Sequence, residues 1–306
     1  MRILVIGGTG FIGRHLVARL ALATHSVIVP TRRYTNGRAL QTLPGVTVIP
    51  ADVYDEAVLD ELVKGSDAVV NLIGILQGNR GRPYGSDFKR AHVEIPERIA
   101  QSCRRHGVKR FVHVSALGAA SDGPSMYLRS KGDGEGAIQK VFSAWGERGW
   151  TFFQPSVIFG ADDKFTTMFA ALARWFPVLP LAGAHTRMQP VYVGDVVDAI
   201  DHALLDRRTY GNSYPLVGPQ VYTMGEIARS CAAWAGHPRP VVNVPSGLAR
   251  MQAFFMENLP GPTILSRDNL DSMKVESVSR IAPAPELGLV PTGLETVAPR
   301  YLSRGS

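Results

Sequence analysis

The sequence predicts an α/β fold: a doubly wound parallel sheet with helices on both faces, followed by a smaller C-terminal α/β lobe. Two observations carry this. The first half alternates short, nearly continuous apolar runs with amphipathic stretches, and after about residue 157 proline and glycine cluster instead. A strand covered on both faces needs apolar side chains in both directions, so it reads as an unbroken apolar run. The runs are "RILVIG" (2–7), "SVIVPT" (26–31), "VTVIPA" (46–51), "DAVVNLIG" (67–74), "RFVHVSA" (110–116) and "WTFFQPS" (150–156). Between the fourth and fifth, residues 86–106 place Phe88, Ala91, Ile95, Ile99 and Cys103 at spacings of three and four, the period of a helix with one buried face.

These patterns assign residues 1–157 to a first domain and 158–306 to a smaller lobe rich in loops. "FPVLPLAG", "VGPQ", "GHPRP", "LPGPT" and "APAPELG" punctuate the lobe. One stretch departs from that texture. "MQPVYVGDVVDAIDHALLD" (188–206) reads as a strand and a helix, so residues 188–217 are expected to return to the first domain.

Composition narrows the class. With 306 residues, 45% of them hydrophobic and 19% charged, the chain fits one large domain, or a large and a small one. Glycines and the charges of Arg14, His15 and Arg19 interrupt the apolar N-terminus before it reaches the length of a signal peptide or membrane span. Only Cys103 and Cys231 are present, too few for a disulfide framework or a cysteine-based zinc site, so the reducing cytoplasm is the expected compartment. The formal net charge of +7 is spread without a basic run interleaved with aromatics, which argues against nucleic acid. Of the eight histidines none forms an i, i+4 metal-binding pair, and no metal is expected.

"VIGGTGFIG" follows the first strand and opens an amphipathic helix, the context in which a glycine pattern signals a Rossmann-type dinucleotide site. Gly7 permits a tight turn, Gly10 lets backbone approach a pyrophosphate, and Gly13 lets helix and strand pack closely. Thr9, Phe11 and Ile12 complete the turn, and the helix N-terminus offers free N–H groups to the anion. At the end of the second strand "PTRRYTNGR" holds Arg32 and Arg33, with no acid that would bond a ribose 2′-hydroxyl. Arginine suits a 2′-phosphate, so NADP(H) is preferred over NAD(H). Asp52 ends the third strand and Asn71 to Gly74 the fourth, at the sheet edge where ligands bind.

"YLRSK" (127–131) puts Tyr127 four residues before Lys131, one turn along a helix face. A phenol titrates near 10, and a neighbouring ammonium is expected to lower it. With nine tyrosines and seven lysines such spacing arises by chance roughly 0.2 times in a chain of this length, so its place after the fifth strand matters more than the match itself. Asp195 reads as a helix-start charge, and His113 as a structural residue. "KFTTMFAALARW" groups Phe165, Met168, Phe169 and Leu172, and "LARMQAFFMENL" groups Met251, Phe254, Phe255 and Leu259; core packing is the expectation for both, with a greasy pocket or docking face as the alternative.

Taken with "PADVYD" after strand three, "VKRFVHVSALGA", "FFQPSVIFG" and "MQPVYVGDVVDAI", these motifs resemble an atypical or extended short-chain dehydrogenase/reductase. "DDKFTTMFAALARWFPVLPLAG", "LSRDNLDSMKVESV" and "LGLVPTGLETVAPRYL" resemble, more narrowly, the branch of the NADPH-binding accessory subunit of respiratory complex I and its bacterial epimerase-like relatives. The resemblance implies that Ser115, with Ser121 and Ser125 of the same glycine-rich loop as alternatives, orients a substrate oxygen, Tyr127 moves its proton, and Lys131 tunes Tyr127 and holds the nicotinamide ribose. It further implies Asp52 and Val53 by the adenine, Asn71, Leu72, Ile73 and Gly74 along the cofactor, and Pro155, Ser156 and Val157 near the nicotinamide. Two departures stand out: Ser115 is followed by Ala116 where small polar residues are common, and His92 and Glu94 flank Val93 where an asparagine is common. Two functions follow as expectations. One is an NADP(H)-dependent oxidoreductase or epimerase acting on a small carbonyl or hydroxyl compound, a nucleotide sugar among them. The other is a non-catalytic NADPH-binding accessory or assembly subunit of a respiratory complex, or a redox-sensing binding protein, peripheral at the inner membrane.

Overall fold

The computed structural model describes residues 1–258, 266–282 and 284–303. Seven parallel strands form the central sheet in the order β3-β2-β1-β4-β5-β6-β11. The strands are β1 (Arg2–Ile6), β2 (Ser26–Thr31), β3 (Val46–Pro50), β4 (Ala68–Asn71), β5 (Arg110–Val114), β6 (Trp150–Pro155) and β11 (Asn212–Leu216). All six apolar runs are strands of this sheet. Chain order reverses beside β1: the chain leaves it for β2 and β3, then returns to β4 on its other side. Loops after β1 and β4 therefore diverge at the strands' carboxyl ends and leave a crevice.

The period-two alternation of a strand explains the unbroken apolar runs. Ile3 and Val5 of β1 join a core beneath α1 (Phe11–Leu22) and α7 (Val193–Leu205), while Leu4 and Ile6 join the opposite core. That second core lies beneath α2 (Glu56–Val63), α4 (Ile95–His106) and α5 (Met126–Trp145). Residues 191–216 thus supply a helix against α1 and the seventh strand. Arg110, almost fully buried, ties this segment in by donating to Gly149 O at 3.0 Å and Thr209 Oγ1 at 3.1 Å.

The helical stretch before β5 is not a uniform α-helix. A short α3 (Ser86–Lys89) runs into one π-type turn, Arg90–Glu94, and then into α4. Such turns insert an extra residue per bond ring and re-aim side chains. Gly134 of α5 meets this turn: a Cβ there would overlap the His92 carbonyl. Glycine in a helix interior costs about 1 kcal/mol against alanine. Here it permits an approach that no other residue allows.

The remaining elements build the second lobe: β7 (Ile158–Phe159), α6 (Thr166–Trp175), β8 (Leu179–Ala182), β9 (Arg187–Met188), β10 (Val191–Tyr192), β12 (Tyr222–Thr223), α8 (Met224–Trp234), β13 (Val241–Val244), α9 (Ser246–Asn258), α10 (Arg267–Ser272) and α11 (Leu294–Leu302). Phe169 is buried in its core with Phe165 and Met168 packed against it, and Leu172 packs in an adjoining small cluster, so the α6 stripe is core. In the α9 stripe Met251 is 54% and Phe254 47% exposed, with the Arg267 guanidinium 5.0 Å from the Phe254 ring centroid; the Phe255 side chain and Leu259 lie outside the described residues. Asp195, in the first turn of α7, accepts from Thr292 N at 2.7 Å and Thr292 Oγ1 at 2.8 Å, so besides charging the helix start it anchors the approach to α11. Both cysteines are buried and unpaired. No helix among the described residues is long and apolar enough to cross a membrane.

Candidate active site

The turn after β1 has the shape of an anion cradle. Gly7 sits at φ +84°, in the left-handed region, and Gly10 N donates to Gly7 O at 3.0 Å. Gly10 caps α1 without a side-chain hydrogen bond, leaving first-turn N–H groups for a ligand, and no acid in that turn opposes an anion. A Cβ at Gly13 would stand 2.5 Å from Gly8 Cα, so only glycine closes the helix onto the turn. A Cβ at Gly7 would stand 3.1 to 3.3 Å from Leu72 and Ile73, which places the two diverging loops against each other. These features fit a dinucleotide pyrophosphate. Thr9, Phe11 and Ile12 are half-buried along the turn.

Around the cradle the expected residues divide. Arg32 and Arg33 are exposed after β2, Asp52 is exposed after β3, and Val53 is buried in the core. Asn71 turns inward: Nδ2 donates to His113 Nδ1 at 3.1 Å and Oδ1 accepts from Ile73 N at 3.1 Å. Its side chain shapes the loop from below, leaving Leu72, Ile73 and Gly74 to line the crevice. Pro155 and Ser156 are buried and Val157 half-buried at the end of β6. Ser156 Oγ bonds the carbonyl and hydroxyl of Ser277, each at 2.9 Å, which joins that strand end to the second lobe.

Lys131 reaches the same edge from α5. Its buried Nζ donates to Val114 O at 3.0 Å and Ile73 O at 3.4 Å, and a Cβ on Gly74 would lie 3.5 Å from it. Tyr127, half-buried one turn earlier, makes no side-chain hydrogen bond among the described residues. The expected lowering of its phenol is not found. Burial pushes Tyr127 up to about 12, and Lys131 Nζ donates to backbone carbonyls rather than to the phenol. In this geometry Tyr127 is a protonated donor.

Ser115 is buried at the end of β5, and its hydroxyl makes no hydrogen bond among the described residues. Burial pushes the Glu135 carboxyl above its ordinary range, while Gln154, Ser115 and Lys131 oppose the shift.

Burial holds Lys131 down to about 8, with Glu135 acting in the opposite direction. The unfolded chain keeps this proton up to the ordinary lysine value, so between about pH 8 and 10.5 the unfolded state binds more protons and stability rises with pH. Below that window both states are charged and the burial cost is fully felt. Chemical denaturation of the ligand-free protein should therefore show a gain on the order of 3 kcal/mol across the window, absent in Lys131→Met. Equal pH slopes in the two proteins would show that Lys131 is not a buried ammonium.

Sequence reasoning missed two further residues. His92 Nε2 accepts from Ile75 N at 2.9 Å, so its proton sits on Nδ1, which donates to Ser130 Oγ at 2.8 Å; Ser130 Oγ in turn donates to Tyr127 O at 2.8 Å. Burial, then Lys131 and His113, hold the imidazole well below its usual value and neutral, and its ring lies edge-on to Tyr127 at 5.5 Å. Beside Val93, where an asparagine was expected, His92 couples the β4 loop to the Tyr127 helix. Asp268 of α10 accepts from Met126 N at 2.7 Å and Tyr127 N at 3.1 Å, capping α5 from the second lobe beside the N-cap Ser125. The only local hint was its "SRDN" helix start; its partners lie about 140 residues away. A cleft of about 490 Å³ opens here, lined among others by Gln77, Asn79, Arg80, Phe88, Met126 and Asp268.

Comparison with known proteins places this geometry. The family model described as NAD dependent epimerase/dehydratase family matches residues 3–216. The NADH dehydrogenase [ubiquinone] 1 alpha subcomplex subunit 9 of Mus musculus is 35% identical over 74% of this chain, and the chain spans 59% of that protein's length. The corresponding subunit of Arabidopsis thaliana is 31% identical over 97% of this chain and 76% of its own. In fold, the chain superposes on the Thermus thermophilus UDP-glucose 4-epimerase in complex with NAD with a TM-score of 0.65, at 21% identity, covering 90% of this chain and 99% of that one. The family match over most of the sheet, joined to the glycine cradle and the Tyr127–Lys131 face beside it, shows that the chain belongs to the NAD-dependent epimerase/dehydratase family.

Proposed function

We propose that this protein is an NADP(H)-dependent oxidoreductase or epimerase of the short-chain dehydrogenase/reductase type, acting on a small carbonyl or hydroxyl compound of the nucleotide-sugar kind. The observation that carries the reading is the position of Tyr127 and Lys131. They share one face of α5, with Lys131 against Gly74 at the crevice and Tyr127 beside the residues lining the 490 Å³ cleft. Gly7, Gly10 and the α1 N-terminus hold the pyrophosphate, and Leu72 to Gly74 with Pro155 to Val157 flank the ring end. The nicotinamide, when bound, supplies or takes the hydride at the substrate carbon. Tyr127 Oη gives a proton to the substrate oxygen in reduction and takes it back in oxidation; Lys131, anchored on Val114 O and Ile73 O, offers its remaining donor to the ribose.

Arg32 and Arg33, exposed at the end of β2, are the residues that favour the 2′-phosphate. Neutralising both should weaken NADPH binding by about 100-fold and NADH binding by no more than about threefold, measured by quenching of intrinsic fluorescence. Equal losses, or none, would remove the NADP(H) preference.

A second reading is supported by the relatives that are NADH dehydrogenase subunits and by a buried Ser115 hydroxyl that makes no hydrogen bond to Tyr127 among the described residues. It makes the chain a cofactor-holding accessory or assembly subunit of a respiratory complex at the inner membrane, or a redox-sensing binding protein. Retention of NADPH through purification, together with membrane-complex subunits, favours this reading; ready cofactor exchange with turnover of a carbonyl substrate favours the first.

A further inference from the structure

Three elements converge on Tyr54, the residue that follows Asp52 and Val53 after β3. Arg90, from the π-type turn, has its Cζ 4.2 Å from the Tyr54 ring centroid, and Arg32, from the end of β2, has its Cζ at 5.6 Å. The ring is held at its backbone: Tyr54 N donates to Asp52 Oδ1 at 3.1 Å and Tyr54 O accepts from Arg98 Nη1 at 3.3 Å. Both guanidiniums are on exposed residues, and among the described residues neither pairs with a carboxylate. Glu94, the acid nearest Arg90 in the same turn, pairs instead with Lys89 at 3.5 Å.

Two like charges drawn to one ring repel each other, and an exposed cation–π contact returns only about 0.5–1 kcal/mol each. An anion that reaches both guanidiniums offsets the repulsion and gains two forked donors. The place is specific. It lies at the carboxyl ends of β2 and β3, the side of the crevice opposite Tyr127 and Lys131, where the adenosine half of a dinucleotide held at Gly7 to Gly13 extends.

We infer that Arg90, with Tyr54 as its platform, is a specificity-determining residue that closes over the adenosine 2′-phosphate opposite Arg32. This rests on the NADP(H) reading above and adds to it a cation from the other side of the sheet edge. The π-type turn then has a purpose at each end. It aims Arg90 at the adenosine end of the crevice while His92, two residues later, reaches Ser130 and the Tyr127 helix.

The test uses the full chain and two probes, adenosine 2′,5′-bisphosphate and 5′-AMP, by isothermal titration calorimetry. Arg90→Ala should weaken the bisphosphate about tenfold and leave AMP within about twofold, with Arg90→Lys in between. Because Arg90 is exposed, the thermal midpoint should not move, so a binding loss is not a folding loss. Equal weakening of both probes would make Arg90 an adenine-stacking residue, and no weakening would leave it a surface cation; either result overturns the inference. The wild-type chain separates this failure from that of the underlying reading. If it prefers the bisphosphate and Arg32→Ala removes that preference while Arg90→Ala does not, only the Arg90 role falls; if it shows no preference, both fall.

Discussion

Replacing Tyr127 by phenylalanine should lower cofactor turnover with any accepted carbonyl substrate by at least about 1000-fold while leaving NADPH affinity and thermal stability unchanged. The phenol makes no side-chain hydrogen bond among the described residues, so its removal orphans no partner, and the ring contact with His92 survives in phenylalanine. Burial pushes the lost phenol up to about 12, so it holds a proton to give, and it sits one residue from Met126 of the cleft lining. Its neighbours are poor substitutes. His92 is held neutral and committed at both nitrogens, and the Ser115 hydroxyl is buried with no hydrogen-bond partner among the described residues to relay a proton. An active Tyr127→Phe protein would assign proton transfer elsewhere. Stopped-flow absorbance at the reduced nicotinamide band reads the step directly.

Gly13→Val should abolish dinucleotide binding and destabilise the fold. A Cβ there falls 2.5 Å from Gly8 Cα and 2.6 Å from the Gly8 carbonyl carbon, backbone that cannot swing aside as a flexible side chain would. Either α1 lifts off the sheet, exposing Leu16, Val17 and Leu20 from the core, or the turn shifts and the cradle is lost. Overpacking of this kind costs typically about 1–3 kcal/mol, and backbone overlap belongs at the upper end. Gly10→Ala separates the two effects. Gly10 has an extended backbone that alanine adopts, and its Cβ would meet only Gly7 O at 3.2 Å, so the fold should persist while the methyl crowds the pyrophosphate. Melting curves and NADPH titration of both variants check this, and wild-type affinity in Gly13→Val would mean the turn is not the anion site.

The six first-domain strands were legible because burial on both faces writes itself as local apolar runs. The glycine turn was legible because its chemistry is contained in seven residues. β11 left a weaker trace: "NSYPL" includes a proline, tolerated on an edge strand, and pairs on one side only. The π-type turn left none, since Phe88, Ala91, Ile95 and Ile99 are buried with either helix geometry. Tyr127 and Lys131 could be placed on a helix face from their spacing alone. The commitment of Lys131 Nζ to Val114 and Ile73 carbonyls could not, because it depends on how deeply α5 sits against β4 and β5.

By itself, then, the sequence determined the sheet, the cradle and the helix that carries the tyrosine and lysine, all of which follow from periodicity and short motifs along one stretch of chain. Tertiary structure alone decided the electrostatics. It directed the lysine to carbonyls and the phenol to a raised value, and buried the Ser115 hydroxyl without a hydrogen-bond partner among the described residues. It also set Asp268 under the helix start, and Arg90 and Arg32 over one ring. The reason is physical: a side chain's charge state and reach depend on what is buried beside it, and those neighbours come from strands and helices tens to more than a hundred residues away.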